Sequence, residues 1–357
     1  MMIRSFYDVS SYSEFVYLCG RFRSCGIPAA ENVARNGETP NKDDKRMNGL
    51  VTKSTGSWYS VLDEASGTRL DCRLRGQFRI HGIKNTNPVV VGDRVIYEPE
   101  NDGTGTITKI EPRKNYIERK STNLSKIRHL IAANIDLAFL VVTLREPRTS
   151  LGFIDRFLVA AEGFRIPVCL VFNKMDLYNE AELDVVEELS ALYRNIGYGI
   201  LHTSVVTGMG IDELREMIGG KVCLFSGHSG TGKSAIISAI DPTLNLRTGD
   251  ISKVHNKGKH TTTFAEMFPL AGGYMVDTPG IKEFGLIQYS KEEVRDYFPE
   301  LRAFNNRCKF DDCSHTHEPG CLVQEAVENG EIALSRYLNY LAILEADDMK
   351  LADWELR

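Results

Sequence analysis

The chain has 357 residues, with 43 basic and 48 acidic side chains and a formal net charge of −5. This length accommodates two or three domains of roughly 100–200 residues, and the weak negative charge gives no overall reason to expect a nucleic-acid partner. No apolar run approaches the ~18 residues of a membrane-spanning helix, and no hydrophobic segment follows the N-terminal basic residues as in a secretory signal, so we expect a cytoplasmic protein without a membrane partner.

Residues 1–46 differ in composition from the rest of the chain. They mix aromatic residues with serine and arginine, and then become polar in ENVARNGETPNKDDKR. Such a segment buries too little apolar surface to fold alone. We therefore expect a poorly ordered extension, or upstream sequence included by a wrong start codon, in preference to a functional arm.

Residues 47–112 are predicted to form a small β-barrel. Short apolar runs are separated by glycine and aspartate, as in GLVTKSTGSWYSVLDE and DRVIYEPE, which is typical of antiparallel barrels and sandwiches. In TRLDCRLRGQFRI, alternation places arginines on one face and mostly apolar residues on the other, namely Arg73, Arg75 and Arg79 against Cys72, Leu74, Phe78 and Ile80. A solvated outer face and an oligonucleotide-binding (OB) face explain these arginines equally well.

The next segment, KNYIERKSTNLSKIRHL, is a basic connector. Its basic residues outnumber its acidic ones and include Lys114, Arg119, Lys120, Lys126 and Arg128. Charge runs are usually only solvated, but this one follows the arginine-rich barrel and therefore adds to the case for nucleic-acid binding.

From residue 135 the pattern changes to apolar strands alternating with amphipathic helices. IDLAFLVVT, PVCLVF, GILHTS and KVCLFSG read as strands, with helices in FIDRFLVAAEG, AELDVVEELSALYRNIG and IDELREMIG. This alternation predicts a parallel α/β sheet with helices on both faces. We assign this domain to residues 113–290.

The stretch GHSGTGKS at 227–234 fits the phosphate-binding pattern G-x-x-x-x-G-K-[ST], and it lies between a predicted strand and a predicted helix. Gly227, Gly230 and Gly232 allow the backbone to wrap closely, so that its N–H groups point at phosphate oxygens. Lys233 is expected to reach the β and γ phosphates, and the Ser234 hydroxyl to bind Mg²⁺.

The stretch NKMD, residues 173–176, follows VCLVF and predicts that the base is guanine. Asp176 is expected to accept hydrogen bonds from the guanine N1–H and exocyclic amine, while Asn173 and the Lys174 stem flank the base. Thr203-Ser204, after GIL, is either a second guanine contact through backbone and hydroxyl or a plain strand end. The complete predicted nucleotide-binding set is Asn173, Lys174, Met175, Asp176, Ser204, Gly227, His228, Ser229, Gly230, Thr231, Gly232, Lys233, Ser234 and Ala235.

Two further elements complete a GTPase, in a rotated order. In DTPG, Asp277 is predicted to hold Mg²⁺ through water and the Gly280 N–H to meet the γ phosphate. In GKHTTT, one of three threonines supplies a hydroxyl to Mg²⁺, and we take Thr262 as the candidate beside Thr261 and Thr263. The base-reading loop precedes the phosphate loop in the chain, but loops at the carboxyl ends of neighbouring strands meet in space whatever their order. A circular permutation therefore leaves the site intact.

Near the C-terminus, three of the eight cysteines cluster with a histidine. Cys308, Cys313, His315 and Cys321 are spaced so as to surround one tetrahedral Zn²⁺, with His317 as an alternative to His315. Four protein ligands leave no open position, which favours a structural metal. Residues 291–357 are thus predicted to be a zinc-binding domain that ends in helices, as in ALSRYLNYLAILEADDMKLADWEL.

The chain resembles the RsgA/YjeQ family of circularly permuted bacterial GTPases in the order of its parts. These are a barrel, NKMD, GHSGTGKS, HTTT, DTPG and then C-x4-C-x-H-x5-C. The resemblance covers about 48–350, and MNGLVTKSTGSWY at 47 resembles a family start. It implies a GTPase that uses GTP/GDP, Mg²⁺ and one structural Zn²⁺, binds the small ribosomal subunit and its rRNA, and acts late in subunit maturation. It favours His315 as the fourth ligand, and it implies that the zinc domain helps docking. Ala235 departs from the second serine of many members.

Hydrolysis is expected to be slow without a partner, because Ile281 occupies the position where many GTPases have a water-orienting glutamine. His260 is the candidate for positioning water, and a merely exposed or phosphate-proximal histidine is an equal interpretation. The chain is expected to be a monomer whose hydrolysis drives release from the ribosome. The alternatives are a GTPase switch for a non-ribosomal protein or RNA partner, and a nucleic-acid-binding protein with a decayed GTPase.

Overall fold

The computed structural model describes residues 46–76, 88–120, 128–244, 265–277 and 290–345. The predicted extension therefore lies outside the described residues except for Arg46, as do Phe78, Arg79 and Ile80 of the barrel. Among the described residues, no helix is both long and apolar enough to cross a membrane.

The first five strands close into the predicted barrel. They are β1 (Met47–Ser54), β2 (Tyr59–Asp63), β3 (Arg69–Leu74), β4 (Arg94–Pro99) and β5 (Gly105–Ile110). The order is β1-β2-β3-β5-β4, and β4 pairs back with β1; β3 and β5 run parallel, while the other pairs are antiparallel. Alternate residues point inward and form the barrel core, which includes Val51, Tyr59, Val61, Cys72, Val95, Tyr97 and Ile107.

The basic connector forms part of an antiparallel hairpin, which the sequence analysis did not predict. Its strands are β6 (Tyr116–Lys120) and β7 (Arg128–Ala133), and residues 121–127 lie outside the described set. Before the hairpin, the Arg113 guanidinium donates to both carboxylate oxygens of buried Asp93, at 2.6 and 2.7 Å. This bidentate pair fixes the connector to the barrel.

The central domain is a sheet in the order β10-β9-β8-β11-β13-β12. The strands are β8 (Leu137–Val142), β9 (Val168–Asn173), β10 (Gly199–Thr203), β11 (Val222–Ser226), β12 (Glu266–Leu270) and β13 (Gly273–Asp277). All neighbours are parallel except β12, which pairs antiparallel with β13 and also with β1 of the barrel. The barrel strands and the central strands thus form one continuous sheet; β12 was not predicted.

Helices cover both faces of the central strands, as predicted. One hydrophobic cluster contains residues of α1 (Leu151–Phe164) and α2 (Glu180–Ile196), while a second contains residues of α3 (Ile211–Ile218) and α4 (Lys233–Ile240). The helix ends follow from local chemistry: Ser150 caps α1, Asn179 forms a capping box with Glu182 at the start of α2, and Gly197 ends α2 in the left-handed region.

The C-terminal part is helical. It contains α5 (Lys291–Asp296), α6 (Pro299–Arg302), α7 (Leu322–Glu328) and α8 (Leu334–Glu345). These helices and the cysteine cluster share one core, which also includes Val159 of α1. Residues 346–357 of the predicted terminal helical segment lie outside the described residues.

Candidate nucleotide and metal sites

The loop after β11 has the backbone geometry of a phosphate cradle. Gly227 has φ 137° and Gly232 has φ 98°, a region that side chains with Cβ rarely adopt. A Cβ on Gly227 would lie 2.3 Å from the Val141 carbonyl oxygen of neighbouring β8, so the loop could not approach the sheet this closely with any other residue. α4 begins at Lys233, and its N-terminal N–H groups face the cradle.

The side chain of Lys233 folds back onto this loop and binds its backbone. Its ammonium donates to the carbonyl oxygens of Gly227 at 2.7 Å and His228 at 2.6 Å. A phosphate group would compete with these two acceptors for the same charge, and it would offer a formal anion in place of neutral carbonyls. Lys233 thus lies inside the loop that the sequence predicts to bind phosphate. Ser234 follows it in the first turn of α4 and is half-buried.

Asn173 connects three elements of the site. Its side-chain amide donates to the Thr231 carbonyl oxygen of the phosphate loop at 2.8 Å, and its carbonyl oxygen accepts from the Thr203 hydroxyl of β10 at 2.9 Å. The residue is buried, and a Cβ on Gly232 would lie 2.3 Å from its amide nitrogen. These contacts indicate that Asn173 ties the base loop to the phosphate loop, while its predicted place beside the base remains a prediction.

Asp176 and Ser204 meet at the adjoining edge. The Ser204 hydroxyl donates to Asp176 Oδ1 at 2.5 Å, which leaves Oδ2 of the carboxylate for another donor. Lys174, in the left-handed region with φ 66°, donates through its ammonium to the Glu146 carbonyl oxygen. Met175 packs against the hydrophobic cluster of α1 and α2. The structure thus brings Ser204 to the predicted base-reading carboxylate, where its hydroxyl orients that group.

We expect Ser204→Ala to weaken GDP binding by roughly tenfold, because a charge-assisted hydrogen bond contributes about 1.5–3 kcal/mol. The loss of affinity should be smaller for inosine diphosphate, because it lacks the exocyclic amine from which a correctly oriented Asp176 accepts a hydrogen bond. Isothermal titration calorimetry with both nucleotides measures the two affinities. Thr207→Ala is the matched control, since its hydroxyl accepts from Met209 N–H in the same loop. An equal loss in both variants would contradict the orienting role.

Tyr178 is a contributor that the sequence analysis missed. Its hydroxyl donates to the Asn173 carbonyl oxygen and accepts from the Leu144 N–H, both at 2.9 Å. Burial raises the pKa of this phenol, so it remains a donor at neutral pH. A tyrosine two positions after NKMD carries no recognisable motif, and its role depends on a loop that is distant in the chain.

His228, a member of the predicted nucleotide-binding set, stacks on α1. Its ring centroid lies 3.9 Å from that of Phe153 in the first turn of the helix, with the planes tilted by 31°. The second residue of the phosphate loop is therefore in direct contact with α1.

Several predicted residues lie outside the described set. These are His260, Thr261, Thr262, Thr263, Gly280 and Ile281. Asp277 ends β13 opposite Glu266 of β12, but its side chain also lies outside this set. The switch threonine, the water-positioning histidine and the Mg²⁺ contact of Asp277 therefore remain predictions.

The predicted metal ligands come together in the C-terminal part. One ligand atom from each of Cys308, Cys313, His315 and Cys321 lies within 4.8 Å of the others. His315 Nδ1 is 3.6 Å from the Cys308 sulfur and 3.4 Å from the Cys321 sulfur, while its buried Nε2 has no hydrogen-bond partner among the described residues. His317 is exposed and contacts the Thr316 hydroxyl.

Three sulfurs and one imidazole nitrogen are the donor set of a closed structural zinc site. Burial raises the pKa of Cys313 to about 12 and lowers the pKa of His315, so the polypeptide alone favours neutral groups. A bound dication would instead favour the deprotonated thiolate form of the three cysteines. The four residues therefore fit Zn²⁺.

The turn that carries His315 is held by Glu318. Its carboxylate accepts from the backbone N–H of Ser314 at 2.7 Å, of Thr316 at 3.0 Å and of His317 at 3.1 Å, and also from the Ser314 hydroxyl. Burial favours the neutral acid, but these hydrogen bonds stabilise the ionised carboxylate more strongly and therefore lower the pKa of Glu318. The charged carboxylate thus shapes the backbone on which His315 sits.

We expect Glu318→Gln to destabilise this domain at neutral pH, because the neutral amide is a weaker acceptor and adds donors that the turn cannot use. Since the folded-state pKa is lowered, the contribution of Glu318 is complete above its ordinary value of 4.5 and falls as pH drops further. Urea unfolding of both proteins between about pH 3 and pH 8 measures the difference, which should shrink below about pH 4.5. Glu325→Gln, at an exposed position of α7, is the control. A difference that persists unchanged at about pH 3 would contradict this role.

The arginine-bearing face of the barrel points to solvent. Arg73 and Arg75 are exposed, and the Arg73 guanidinium lies 3.9 Å from the ring centroid of Trp58. A planar cation stacked on a half-buried indole, beside a second exposed cation, matches surfaces that bind unpaired nucleic acid. The exposure of both arginines also fits a solvated outer face.

Two family models match this chain in succession. The model described as RsgA N-terminal domain matches residues 48–107, and the model described as RsgA GTPase matches residues 110–287. A Bacteroides fragilis protein called small ribosomal subunit biogenesis GTPase RsgA is 52% identical over 300 residues, which is 84% of this chain and 96% of that protein. A Flavobacterium psychrophilum protein of the same name is 51% identical over 306 residues, covering 85% and 94% of the two chains.

Two solved structures share the architecture. The crystal structure of YjeQ from Thermotoga maritima has 41% sequence identity and a TM-score of 0.71, with 85% of this chain and 99% of that one covered. The structure of YloQ, described as a circularly permuted GTPase, has 30% identity and a TM-score of 0.68, covering 87% and 98%. This chain, in which NKMD precedes the phosphate loop, thus resembles in structure a protein that is described as circularly permuted.

Proposed function

The chain belongs to the RsgA family of GTPases, and on that basis we propose that it acts late in the maturation of the small ribosomal subunit. In this proposal it binds the subunit and its rRNA with GTP, and hydrolysis drives its release. The relatives named as small ribosomal subunit biogenesis GTPases support the partner. We further propose that the chain acts as a monomer in the cytoplasm.

The observation that carries the proposal is the convergence of three loops at one edge of the sheet. Asn173 joins the base loop to the phosphate loop, Ser204 orients Asp176, and Lys233 lies in the cradle. An orienting hydroxyl on an aspartate supports guanine as the base. We propose that Ser234, Thr262 and Asp277 hold Mg²⁺, which neutralises charge on the phosphates when bound, while the Gly280 N–H binds the γ phosphate and His260 positions water.

The barrel supports an RNA contact in this proposal. The exposed Arg73 and Arg75 on one outer face would bind phosphates, and Trp58 would offer a stacking surface. We propose the domain limits 47–112 for the barrel, 113–290 for the permuted GTPase and 291–357 for the zinc-binding domain, whose one structural Zn²⁺ would be held by the cysteine cluster. In this arrangement the nucleotide state would set the affinity of surfaces outside the GTPase domain.

Co-sedimentation with purified small ribosomal subunits tests this function. Binding should be tighter with a non-hydrolysable GTP analogue than with GDP, and it should weaken steeply as salt rises, because phosphate contacts release counterions. Arg73→Ser with Arg75→Ser should reduce both affinity and salt slope. Arg94→Ser is the control, since Arg94 is already paired with Glu64 at 2.5 Å. Equal binding with GTP analogue and GDP, or none at low salt, would contradict the proposal.

A further inference from the structure

The metal-ligating turn and the phosphate loop are joined by an unbroken series of contacts through α8 and α1. We infer that Asp155 and Arg336 are positioning residues that couple metal occupancy to nucleotide affinity through these two helices. The inference goes beyond the proposed ribosomal role and does not depend on it. It rests on the assignment of Cys308, Cys313, His315 and Cys321 to a metal.

The first contacts run from the metal-ligating turn to α8. The Tyr337 hydroxyl donates to the His315 carbonyl oxygen at 2.7 Å, and the Tyr340 hydroxyl donates to the Ser314 carbonyl oxygen at 2.6 Å. Both tyrosines belong to the shared hydrophobic core of this part of the chain. The backbone of the ligating turn therefore sets the position of α8.

The next contacts run from α8 to α1 through buried charges. Arg336 and Asp155 are 1% and 0% exposed, and the guanidinium donates to Asp155 Oδ1 at 2.6 Å. Asn339, one turn of helix further, donates to Asp155 Oδ2 at 2.6 Å. Two donors from α8 thus hold both oxygens of one carboxylate on α1.

Arg336 is itself fixed from other sides. Glu300 of α6 accepts from its Nε at 2.6 Å and from Nη2 at 3.1 Å, and the guanidinium lies 4.5 Å from the ring centroid of Phe298. Burial alone would lower the pKa of Arg336, but Asp155 and Glu300 outweigh it and raise the pKa. Because separating a buried ion pair is strongly unfavourable, α8 cannot shift without moving α1.

The last contact runs from α1 to the phosphate loop. Phe153, two residues before Asp155, stacks on His228 with a centroid distance of 3.9 Å. The His228 carbonyl oxygen is one of the two acceptors for the Lys233 ammonium. A displacement of the first turn of α1 would therefore move the backbone that holds Lys233, and with it the phosphate cradle.

Thermodynamic linkage makes the inference testable from either end. If the metal strengthens nucleotide binding by some factor, the nucleotide must strengthen metal binding by the same factor. Couplings of this kind are typically about 5- to 150-fold. We expect at least a fivefold effect here, because each contact in the series joins rigid or buried groups.

The experiment uses the full chain and measures both sides of the linkage. The affinity for a fluorescent GDP analogue is determined with zinc bound and after chelation, and the affinity for zinc is determined by chelator competition with and without GDP. We expect both affinities to change by the same factor of at least five. Unchanged affinities would overturn the inference. A chain that neither contains nor takes up zinc would overturn it together with the metal assignment, as metal analysis would reveal.

Two variants locate the coupling, and both should retain zinc. Asp155→Asn removes one buried negative charge and leaves Arg336 paired with Glu300, so we expect it to fold and to reduce the coupling factor towards one. Phe153→Leu breaks the stack on His228 at the other end and should do the same. Phe268→Leu, at a half-buried position of β12, is the matched control and should keep the full factor. Full coupling in both Asp155→Asn and Phe153→Leu would overturn the assignment to this path.

Discussion

Lys233→Ala should weaken GTP binding by roughly 10- to 150-fold, and hydrolysis at subsaturating GTP should fall at least as much. The ammonium is held in the predicted phosphate cradle by two neutral carbonyl oxygens, and a phosphate anion would replace these acceptors with a stronger, charged one. Charge-assisted hydrogen bonds contribute about 1.5–3 kcal/mol, and each 1.4 kcal/mol is about a factor of ten in affinity. Fluorescence titration and phosphate release measure both quantities.

Lys221→Ala provides the control for this substitution. It removes the same charge from the start of β11, at the opposite end of the strand, where the ammonium donates to the Met217 carbonyl oxygen. GTP binding should be nearly unchanged in that variant. Equal losses in the two variants would mean that Lys233 acts through net charge or stability, and not through the phosphates.

Cys313→Ala should abolish stoichiometric zinc binding and unfold the C-terminal helices locally. Cys313 is buried in the core that these helices share, and removal of one of four ligands leaves the remaining thiols without a complete site. Outer contacts of a metal site already change affinity by about 10- to 100-fold, so loss of a direct ligand should exceed that range. Metal content per chain and thermal unfolding monitored by circular dichroism are the measurements.

Cys223→Ala separates ligand loss from cavity formation. Cys223 is also fully buried, but it lies in β11 and outside the metal cluster. It should lose some stability and retain all of its zinc. Full zinc content in Cys313→Ala, or none in the wild-type protein, would contradict the assignment of this cluster to a structural metal.

The positions of the sequence motifs on strands and helices were largely predictable, because each depends on local chemistry. An apolar run followed by NKMD predicts a strand and a polar loop, and glycines before a lysine predict a strand-to-helix cradle. Alternation placed Arg73 on the outside of the barrel and Cys72 on the inside, as the structure has them. The barrel, the permuted GTPase and the cysteine cluster are each confirmed as architecture.

The contacts between distant segments were not predictable from the sequence. Arg336 binds Asp155 across 181 positions of the chain, and neither residue belongs to a motif. Asn173 was expected beside the base, but the pattern N-K-x-D does not show that its amide would bind Thr231 in another loop. The pairing of residues 116–120 with residues 128–133 was also not predictable from the basic composition of the connector. Its many charged residues obscure the alternation of apolar and polar residues by which a β-strand is recognised.

Steady-state GTP hydrolysis by the purified chain, with and without small ribosomal subunits, tests the proposed function most directly. It should be measured at low and moderate salt, with large subunits as the comparison and Lys233→Ala as the inactive control. We expect slow hydrolysis alone and at least a tenfold rise with small subunits only, which declines as salt increases. A rate that is the same with small subunits, with large subunits and without ribosomes would contradict a GTPase coupled to the small subunit.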